Sequence, residues 1–345
     1  MNALVKTGPG PGNMEISAVP DPVPAEGQVL IKVERTGICG SDIHVLKSDI
    51  LIKMSPPVVT GHEFAGTISA LGPNTGPWQI GDEVVSETSI GFCGTCPACR
   101  SGYYNLCPDR KVLGYWHNGA FAPYVVVPAS RLHRVPTNVG LREAALTEPL
   151  ACVVHAVLEE TRISAGDLVV ITGPGAIGLL SLQVARAHGA RVVVLGTRRD
   201  PERLRLAREL GADLAIDTSG REPDALRSEI GTQHGADVVL ECSGSAAAVD
   251  AGLELLRRRG RFTQIGLFGR SAPVALDVVT LKEIALVGAI SSRYSSWERA
   301  LALLACGAVK VDALITHELP LSEWKRGFEL FESQEGIKIL LDPER

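Results

Sequence analysis

The four cysteines at positions 93, 96, 99 and 107 form the densest group of metal-binding side chains in the sequence. They lie in the segment GFCGTCPACRSGYYNLC, where Gly, Pro and Asn let the backbone bend around one ion. Four thiolates complete a tetrahedral zinc shell and leave no open position for a substrate. We therefore predict a structural zinc site at Cys93, Cys96, Cys99 and Cys107. An iron–sulfur cluster on these cysteines is the alternative.

A second set of possible ligands is dispersed along the chain. Cys39 lies in TGICGSDIH, His62 and Glu63 lie in GHEFAG, and Glu148 lies in TEPLAC. Taken alone, Cys39 and His62 are more typical of a protein core, and Glu148 is more typical of the first half of a helix. Together, a thiolate, an imidazole and a carboxylate match a catalytic zinc site with one open position, where a substrate oxygen binds. The fold must bring these segments together.

A glycine pattern indicates a dinucleotide site. Gly173, Gly175 and Gly178, with Ala176 and Ile177 between the last two, follow the apolar run DLVVIT and open a helical segment. The first glycine permits a tight turn, the second lets the backbone approach a pyrophosphate, and the third allows close packing of helix and strand. The helix N-terminus adds free N–H groups and a positive dipole.

The end of the next strand, RVVVLG, bears on the choice of dinucleotide. An enzyme that uses NAD usually has Asp or Glu about 20 residues past the motif, to bind the ribose hydroxyls. Here the strand ends at Gly196, and Thr197, Arg198 and Arg199 follow. Two cations and a hydroxyl are suited to a 2′-phosphate, so we expect NADP in preference to NAD. A solvated turn is the alternative interpretation.

The elements around these motifs predict an α/β protein with two domains. Residues 1–150 contain short strands punctuated by Gly and Pro, which indicates a mostly-β domain. In residues 151–285, strands alternate with helices at about 176–188 and 201–210, which predicts a parallel sheet. The region 286–345 adds the strand IALVGAI, a helix beginning near Ser296, and an IKILL run that could return to the first domain.

A helix is also predicted from Arg142 through REAALTEPLACVVHAVLEE, because Ala, Leu and Val recur at helical spacing.

Composition excludes several partners. The net charge is −5, and no Lys or Arg block is long enough to follow a nucleic-acid backbone. No apolar run reaches the length of a membrane span, and the N-terminus has no signal-peptide pattern. We therefore expect a cytoplasmic protein without nucleic-acid or membrane partners.

Taken in order, GICGSDIH, GHEFAG, the four-cysteine loop, TEPLAC and GPGAIG resemble the medium-chain, zinc-dependent alcohol dehydrogenase superfamily. Glu63 beside His62, and the TEPLACVVHA segment, resemble its polyol (sorbitol and iditol) dehydrogenase branch. The resemblance implies a GroES-like catalytic domain, completed by the C-terminal region, together with a doubly wound Rossmann domain. It also implies that the protein forms dimers or tetramers, for which the IALVGAI strand is a candidate edge.

The resemblance also implies roles for single residues. Cys39 and His62 would bind the catalytic zinc with Glu63 or Glu148, and the two glutamates would exchange roles. Ser41 and His44 would carry the substrate proton to solvent.

The segment AISSRYSSW resembles the stretch where polyol enzymes place substrate-binding residues, so Arg293 and Tyr294 are candidates.

The expected activity is hydride transfer between a secondary alcohol of a polyol or sugar-like substrate and NAD(P). A dehydrogenase of L-threonine, another amino alcohol or an aminocyclitol is the first alternative. A non-catalytic redox sensor that binds a nucleotide and holds only the structural zinc is the second. The complete set of Cys39, His62, Glu63 and Glu148 argues against the sensor.

Overall fold

The computed structural model describes residues 1–49, 53–269 and 271–345, and the chain divides into two compact units. The first unit comprises Met1–Ala151, Ser292–Ala305 and Val311–Arg345. The second unit comprises Cys152–Ser291 and Cys306–Lys310. Within the described ranges, no helix combines the length and hydropathy needed to cross a bilayer.

The strands, numbered along the chain, are β1 (Asn2–Lys6), β2 (Met14–Ala18), β3 (Gln28–Gly37), β4 (Val58–Val59), β5 (Glu63–Leu71), β6 (Glu83–Ser86), β7 (Ser89–Gly91), β8 (Lys111–Val112), β9 (Tyr124–Pro128), β10 (Leu132–Arg134), β11 (Leu168–Thr172), β12 (Arg191–Gly196), β13 (Leu214–Asp217), β14 (Ala236–Glu241), β15 (Leu256–Gln264), β16 (Ala285–Gly288), β17 (Ile315–Pro320) and β18 (Lys338–Asp342).

The helices are α1 (Gly40–Lys47), α2 (Pro97–Arg100), α3 (Leu141–Ala144), α4 (Thr147–Val154), α5 (Ala176–Ala187), α6 (Pro201–Glu209), α7 (Pro223–Ile230), α8 (Ala246–Leu255), α9 (Asp277–Leu281), α10 (Tyr294–Ala305) and α11 (Trp324–Glu332). A π-helical turn, His155–Glu160, continues α4.

The largest sheet of the first unit is built around β3. Its path runs β10-β6-β5-β3-β18-β17, and β9 also pairs with β3. Along β3, Val29, Ile31 and Val33 are buried and alternate with more accessible residues, as expected for a strand that turns one face toward the core. The IKILL run forms β18, which is antiparallel to β3. This confirms a mostly-β unit.

The end of β3 is where the dispersed candidate zinc ligands Cys39 and Glu63 come together. Gly37 at this end is paired with Glu63 at the start of β5, and Cys39 follows as the residue before α1. A Cβ atom on Gly37 would lie 2.3 Å from Oε2 of Glu63, so the glycine leaves room for the carboxylate. Antiparallel pairing therefore brings two distant segments to the same edge.

The second unit contains a six-stranded parallel sheet in the order β13-β12-β11-β14-β15-β16. Counted within the unit, this order is 3-2-1-4-5-6, the arrangement of dinucleotide-binding Rossmann folds. All five residues of β11 are buried, as is usual where helices cover both faces of a parallel sheet. The predicted doubly wound fold is confirmed.

Several observed elements differ from the predicted ones. The helical run after Arg142 is not one helix, because α3 ends at Ala144 and α4 begins at Thr147. Pro149 accounts for the break, since its ring lacks an N–H and clashes with the carbonyl four residues earlier. In addition, β13, α7, α8 and α9 of the second unit were absent from the predicted elements. The short segment LAID has only two buried residues and little strand periodicity.

The glycine-rich turn between β11 and α5 is tightly packed at two of its three glycines. Gly173 has a positive φ of 93°, and a Cβ on Gly178 would lie 2.0 Å from the carbonyl oxygen of Gly173. By contrast, a Cβ on Gly175 would meet no atom within 4 Å. Gly173 and Gly178 therefore allow close packing, whereas Gly175 faces open space.

We predict that Gly178→Ala destabilises the second unit by about 1–3 kcal/mol, because α5 must move away from the turn. Gly175→Ala is the matched control, since its φ of −76° suits alanine and its Cβ has room. Urea unfolding measured by circular dichroism tests this difference. Equal stability of the two variants would contradict the packing argument.

Candidate metal centres and dinucleotide site

The structure brings Cys39, His62 and Glu63 together. One ligand atom from each residue lies within 4.8 Å of the others. His62 and Glu63 are buried, and Cys39 is partly buried. A thiolate, an imidazole and a carboxylate at this spacing suit a zinc ion with an open position. The donor set therefore fits the predicted catalytic zinc.

A glycine next to His62 shapes the approach to this cluster. Gly61 has a φ of 88°, and a Cβ on it would lie 2.6 Å from the ring of Phe121. Only glycine combines this backbone conformation with such a close approach. The GHE motif is therefore held by packing against the Phe121 ring.

Asp42, which we did not predict, lies behind His62. Its Oδ1 is 3.7 Å from Nδ1 of His62, and its Oδ2 accepts a hydrogen bond of 2.9 Å from the Cys39 amide. The Nδ1 atom of His62 is buried and has no hydrogen-bond partner among the described residues. The sequence did carry a signal for Asp42, because an acidic residue three positions after a helix N-cap is typical of a capping box.

The electrostatics of this cluster favour a cation. Burial alone would lower the pKa of His62, but the negative charges of Asp42, Cys39 and Glu148 raise it to about 10. Burial raises the pKa of Asp42 to about 6. Several acidic groups therefore share a small, poorly solvated volume, which a divalent ion would stabilise.

Lys338 is the second residue that sequence reasoning missed. Its buried ammonium group pairs with Oε2 of Glu63 and donates a hydrogen bond of 3.0 Å to the Ile38 carbonyl. Burial lowers the pKa of Lys338, but the charges of Glu63 and Cys39 outweigh this and raise it, so the lysine stays charged. It offsets part of the negative charge around the cluster. The contact of Lys338 with Glu63 can be recognised only from the pairing of β18 with β3.

Glu148 lies on α4 and is also buried. Its negative charge raises the pKa of His62 and of Lys338, so it contributes to the field of the cluster. Its carboxylate is not part of the group whose ligand atoms lie within 4.8 Å of one another. Among the two candidate glutamates, Glu63 is the one that the structure places with Cys39 and His62.

The two residues of the predicted proton relay have different surroundings. Ser41 accepts a hydrogen bond of 2.8 Å from Tyr115, and its Oγ is 3.5 Å from Nε2 of His62. His44 is half-exposed, and its Nδ1 is 2.9 Å from Oδ1 of Asp49. In the described part of the chain, no hydrogen bond joins Ser41 to His44 directly. Proton transfer between them therefore needs an intervening group.

The four cysteines of the loop also converge. The sulfur atoms of Cys93, Cys96, Cys99 and Cys107 lie within 4.8 Å of one another. Backbone amides donate to the sulfurs, as from Cys96 to Cys93 at 3.3 Å, and such bonds stabilise thiolates. Amides of Thr95 and Cys96 lower the pKa of Cys93 to about 6. Four sulfurs at this spacing fit a structural zinc.

The candidate substrate residues lie beside this loop, at the start of α10. The Arg293 guanidinium is 4.2 Å from the centroid of the Tyr103 ring, and the Tyr294 amide donates a hydrogen bond of 2.5 Å to the Tyr104 hydroxyl. Both contacts lie within the first unit. The loop therefore borders the segment expected to bind substrate.

In the second unit, Gly175 is the residue before α5, and Ala176 and Ile177 begin the helix. The space above Gly175, and first-turn N–H groups that have no partner within the helix, fit a dinucleotide pyrophosphate.

The loop after β12 is held by its own polar groups. Both the amide and the hydroxyl of Thr197 donate to Oδ2 of Asp200, each at 2.9 Å. Gly196 is buried, whereas Thr197, Arg198 and Arg199 are exposed. Both arginines are thus accessible to solvent, and the Asp200 carboxylate is engaged with Thr197.

Known proteins match both units. Residues 25–137 match the alcohol dehydrogenase GroES-like domain, and residues 176–306 match the zinc-binding dehydrogenase family. The chain is 46% identical to sorbitol dehydrogenase of Halalkalibacterium halodurans over 344 residues, which cover 99% of each chain. It is 39% identical to D-arabitol-phosphate dehydrogenase of Enterococcus avium, over 99% of this chain and 97% of that protein.

The fold comparison agrees. A crystal structure of a zinc-binding dehydrogenase from Sinorhizobium meliloti bound to NADP has a TM-score of 0.89 and 31% identity, and 99% of each chain is covered. The chain therefore belongs to the zinc-dependent, medium-chain alcohol dehydrogenases, and its relatives include the polyol branch. The predicted family and enzyme class are confirmed.

We predict two zinc ions per chain, measured by mass spectrometry of the purified protein. Cys39→Ala should leave one zinc and abolish turnover, because the cluster loses its thiolate. Cys96→Ser should also leave one zinc and lower the melting temperature, because the loop loses its cross-link. Cys306→Ser, outside both clusters, is the matched control and should keep two. Retention of both ions and of turnover in Cys39→Ala would refute the catalytic site.

Proposed function

We propose that this enzyme oxidises a secondary alcohol of a polyol or sugar-like substrate and transfers the hydride to NADP. The convergence of Cys39, His62 and Glu63 within 4.8 Å is the observation that carries the proposal. These three types of ligand bind zinc and leave a position for an alcohol oxygen. When bound there, zinc supplies a Lewis acid that favours loss of the alcohol proton.

Residues of the chain would hold the zinc ion, and others would carry the alcohol proton away. Cys39, His62 and Glu63 would hold the ion, and Glu148 would be the carboxylate that exchanges with Glu63. Tyr115 donates to Ser41, so the hydrogen of the Ser41 hydroxyl can point toward another acceptor. Burial raises the pKa of Tyr115 well above its usual value, which keeps this phenol a donor. Ser41 is therefore oriented to pass on a proton.

His44 is the proposed outlet of the relay. Its Nδ1 faces Asp49, and a histidine that donates from Nδ1 to a carboxylate keeps Nε2 as an acceptor. The exposed position of the ring gives the proton access to solvent.

Cofactor preference rests on the loop after β12. Arg198 and Arg199 are exposed, and Oδ2 of Asp200 accepts hydrogen bonds from the amide and the hydroxyl of Thr197. Guanidinium groups suit a phosphate dianion, so we propose that they hold the 2′-phosphate of NADP. The NADP found in the Sinorhizobium meliloti relative supports this proposal.

The substrate class rests on two relatives and one segment. The relatives are named for sorbitol and D-arabitol phosphate, which are both polyols or polyol esters. Arg293 and Tyr294 offer a cation and a phenol, groups that bind hydroxyls and phosphates. We therefore place a polyol or its phosphate ester ahead of L-threonine and other amino alcohols.

We also propose a homodimer or homotetramer that uses the edge strand β16. This strand ends the parallel sheet, and Leu286 and the following Ile290 are 48% and 41% exposed. An exposed apolar edge strand invites pairing with a second copy.

Arg199→Ala should weaken NADP binding by about tenfold, because a charge-assisted contact to the 2′-phosphate is lost. NAD, which lacks this phosphate, should be affected little. Arg221→Ala, an exposed arginine outside this loop, is the control. Reduction of each dinucleotide is followed by absorbance, and preference of the unmodified enzyme for NAD would refute the assignment.

A substrate panel tests the reaction itself. We expect turnover with pentitols, hexitols or their phosphate esters and little with L-threonine, because the chain is more similar to the relatives named for sorbitol and D-arabitol phosphate, at 46% and 39% identity, than to an L-threonine 3-dehydrogenase at 36%. The Cys39→Ala variant controls for contaminating dehydrogenases. Higher kcat/KM for L-threonine would support the amino-alcohol alternative. Absence of turnover with every alcohol, together with one zinc per chain, would support the redox sensor.

A further inference from the structure

Tyr104 of the four-cysteine loop contacts the start of α10. Its hydroxyl accepts a hydrogen bond of 2.5 Å from the Tyr294 amide, across 190 residues of sequence. The first N–H groups of a helix have no partner within the helix. A phenol from a distant loop therefore caps the first residue of α10.

A buried carboxylate orients this phenol. The Tyr104 hydroxyl donates to Oε2 of Glu87, which is 1% exposed. Once its only hydrogen points to Glu87, the hydroxyl oxygen is left to accept from Tyr294. Burial and the Glu87 charge raise the pKa of Tyr104, so the hydroxyl keeps its hydrogen.

Arg131 and Phe92 secure this pair. The Arg131 guanidinium is 3.4 Å from Oε1 of Glu87 and lies above the rings of Phe92 and Tyr104, at 5.1 and 5.2 Å. The Phe92 and Tyr104 rings stack with centroids 4.9 Å apart. The position of the Tyr104 oxygen is therefore set by a charge, a hydrogen bond and ring stacking.

The other side of the α10 start is also held. His133 is buried, its Nδ1 is 2.5 Å from Oε1 of Glu298, and its ring packs against Tyr294 and stacks on Trp297. The Arg293 guanidinium lies over the ring of Tyr103, the neighbour of Tyr104. Both candidate substrate residues thus contact groups whose positions the loop and β10 determine.

From these contacts we propose that Tyr104 is a positioning residue for substrate binding. Its hydroxyl holds the backbone of Tyr294, and thereby sets where Arg293 and Tyr294 meet the substrate. The four-cysteine loop then has a role beyond stability, because it carries the residue that determines substrate affinity. This inference rests on the proposed function of Arg293 and Tyr294.

The test is Tyr104→Phe, which removes one oxygen and keeps the ring stacked on Phe92. We expect KM for the best polyol of the panel to rise about fivefold, the effect of one lost hydrogen bond, while kcat changes less than twofold. Zinc content should stay at two. Tyr124→Phe, which removes a phenolic oxygen from β9, is the matched control and should leave KM unchanged.

Hydrogen exchange gives a readout that does not depend on activity. In Tyr104→Phe, the amides of residues 292–298 should exchange faster, because the cap of α10 is lost, while peptides of β3 and β5 should be unaffected. Unchanged KM in a variant that keeps two zinc ions would overturn the proposal, whether or not exchange in this segment changes. If the unmodified enzyme has no activity on any polyol, the proposed function fails, but the exchange experiment still decides whether Tyr104 holds α10.

Glu87→Gln is the second variant, in case Tyr104→Phe loses the loop zinc. It keeps the phenol and the ring stack, weakens the acceptor that orients the hydroxyl, and removes the charge that pairs with Arg131. We expect a KM increase of roughly twofold and faster exchange of residues 292–298. A variant with two zinc ions, normal KM and normal exchange would overturn the proposal.

Discussion

The antiparallel pairing of β3 with β5 is the constraint on which the candidate catalytic centre depends. Gly37 is paired with Glu63, so Cys39 just past the end of β3 lies near His62 and Glu63 at the start of β5. Because Gly37 has no side chain, the Glu63 carboxylate occupies the space beside it. The register of a strand pair determines which side chains are neighbours, and here it assembles the candidate metal ligands.

The same sheet supplies the charges that balance these ligands. Strand β18, from the C-terminal region, pairs with the other edge of β3 and brings Lys338 to Glu63. A buried carboxylate is costly to leave unpaired, and Lys338 offsets part of that cost. Asp42 on α1 adds negative charge behind His62. The centre therefore depends on residues from three separate stretches of the chain.

The two candidate metal-binding clusters of the first unit contact different parts of the fold. The Cys39 cluster belongs to the β3 and β5 edge, whereas Tyr104 of the four-cysteine loop contacts Glu87, Arg131 and the start of α10. The four-cysteine loop is thus connected to the start of α10, which carries the candidate substrate residues. These contacts therefore link metal binding in the loop to the positions of Arg293 and Tyr294.

The sequence by itself determined the elements with strong local signals. Four cysteines at short spacing, and glycines between a strand and a helix, specify their surroundings because the residues that act together are close in the chain. The parallel sheet followed from regular alternation of strands and helices. Asp42 had only a capping signal, and Lys338 and Tyr104 had none, because their partners lie far away in sequence. Strand register and the packing of loops decide those contacts, and both exist only in the folded chain.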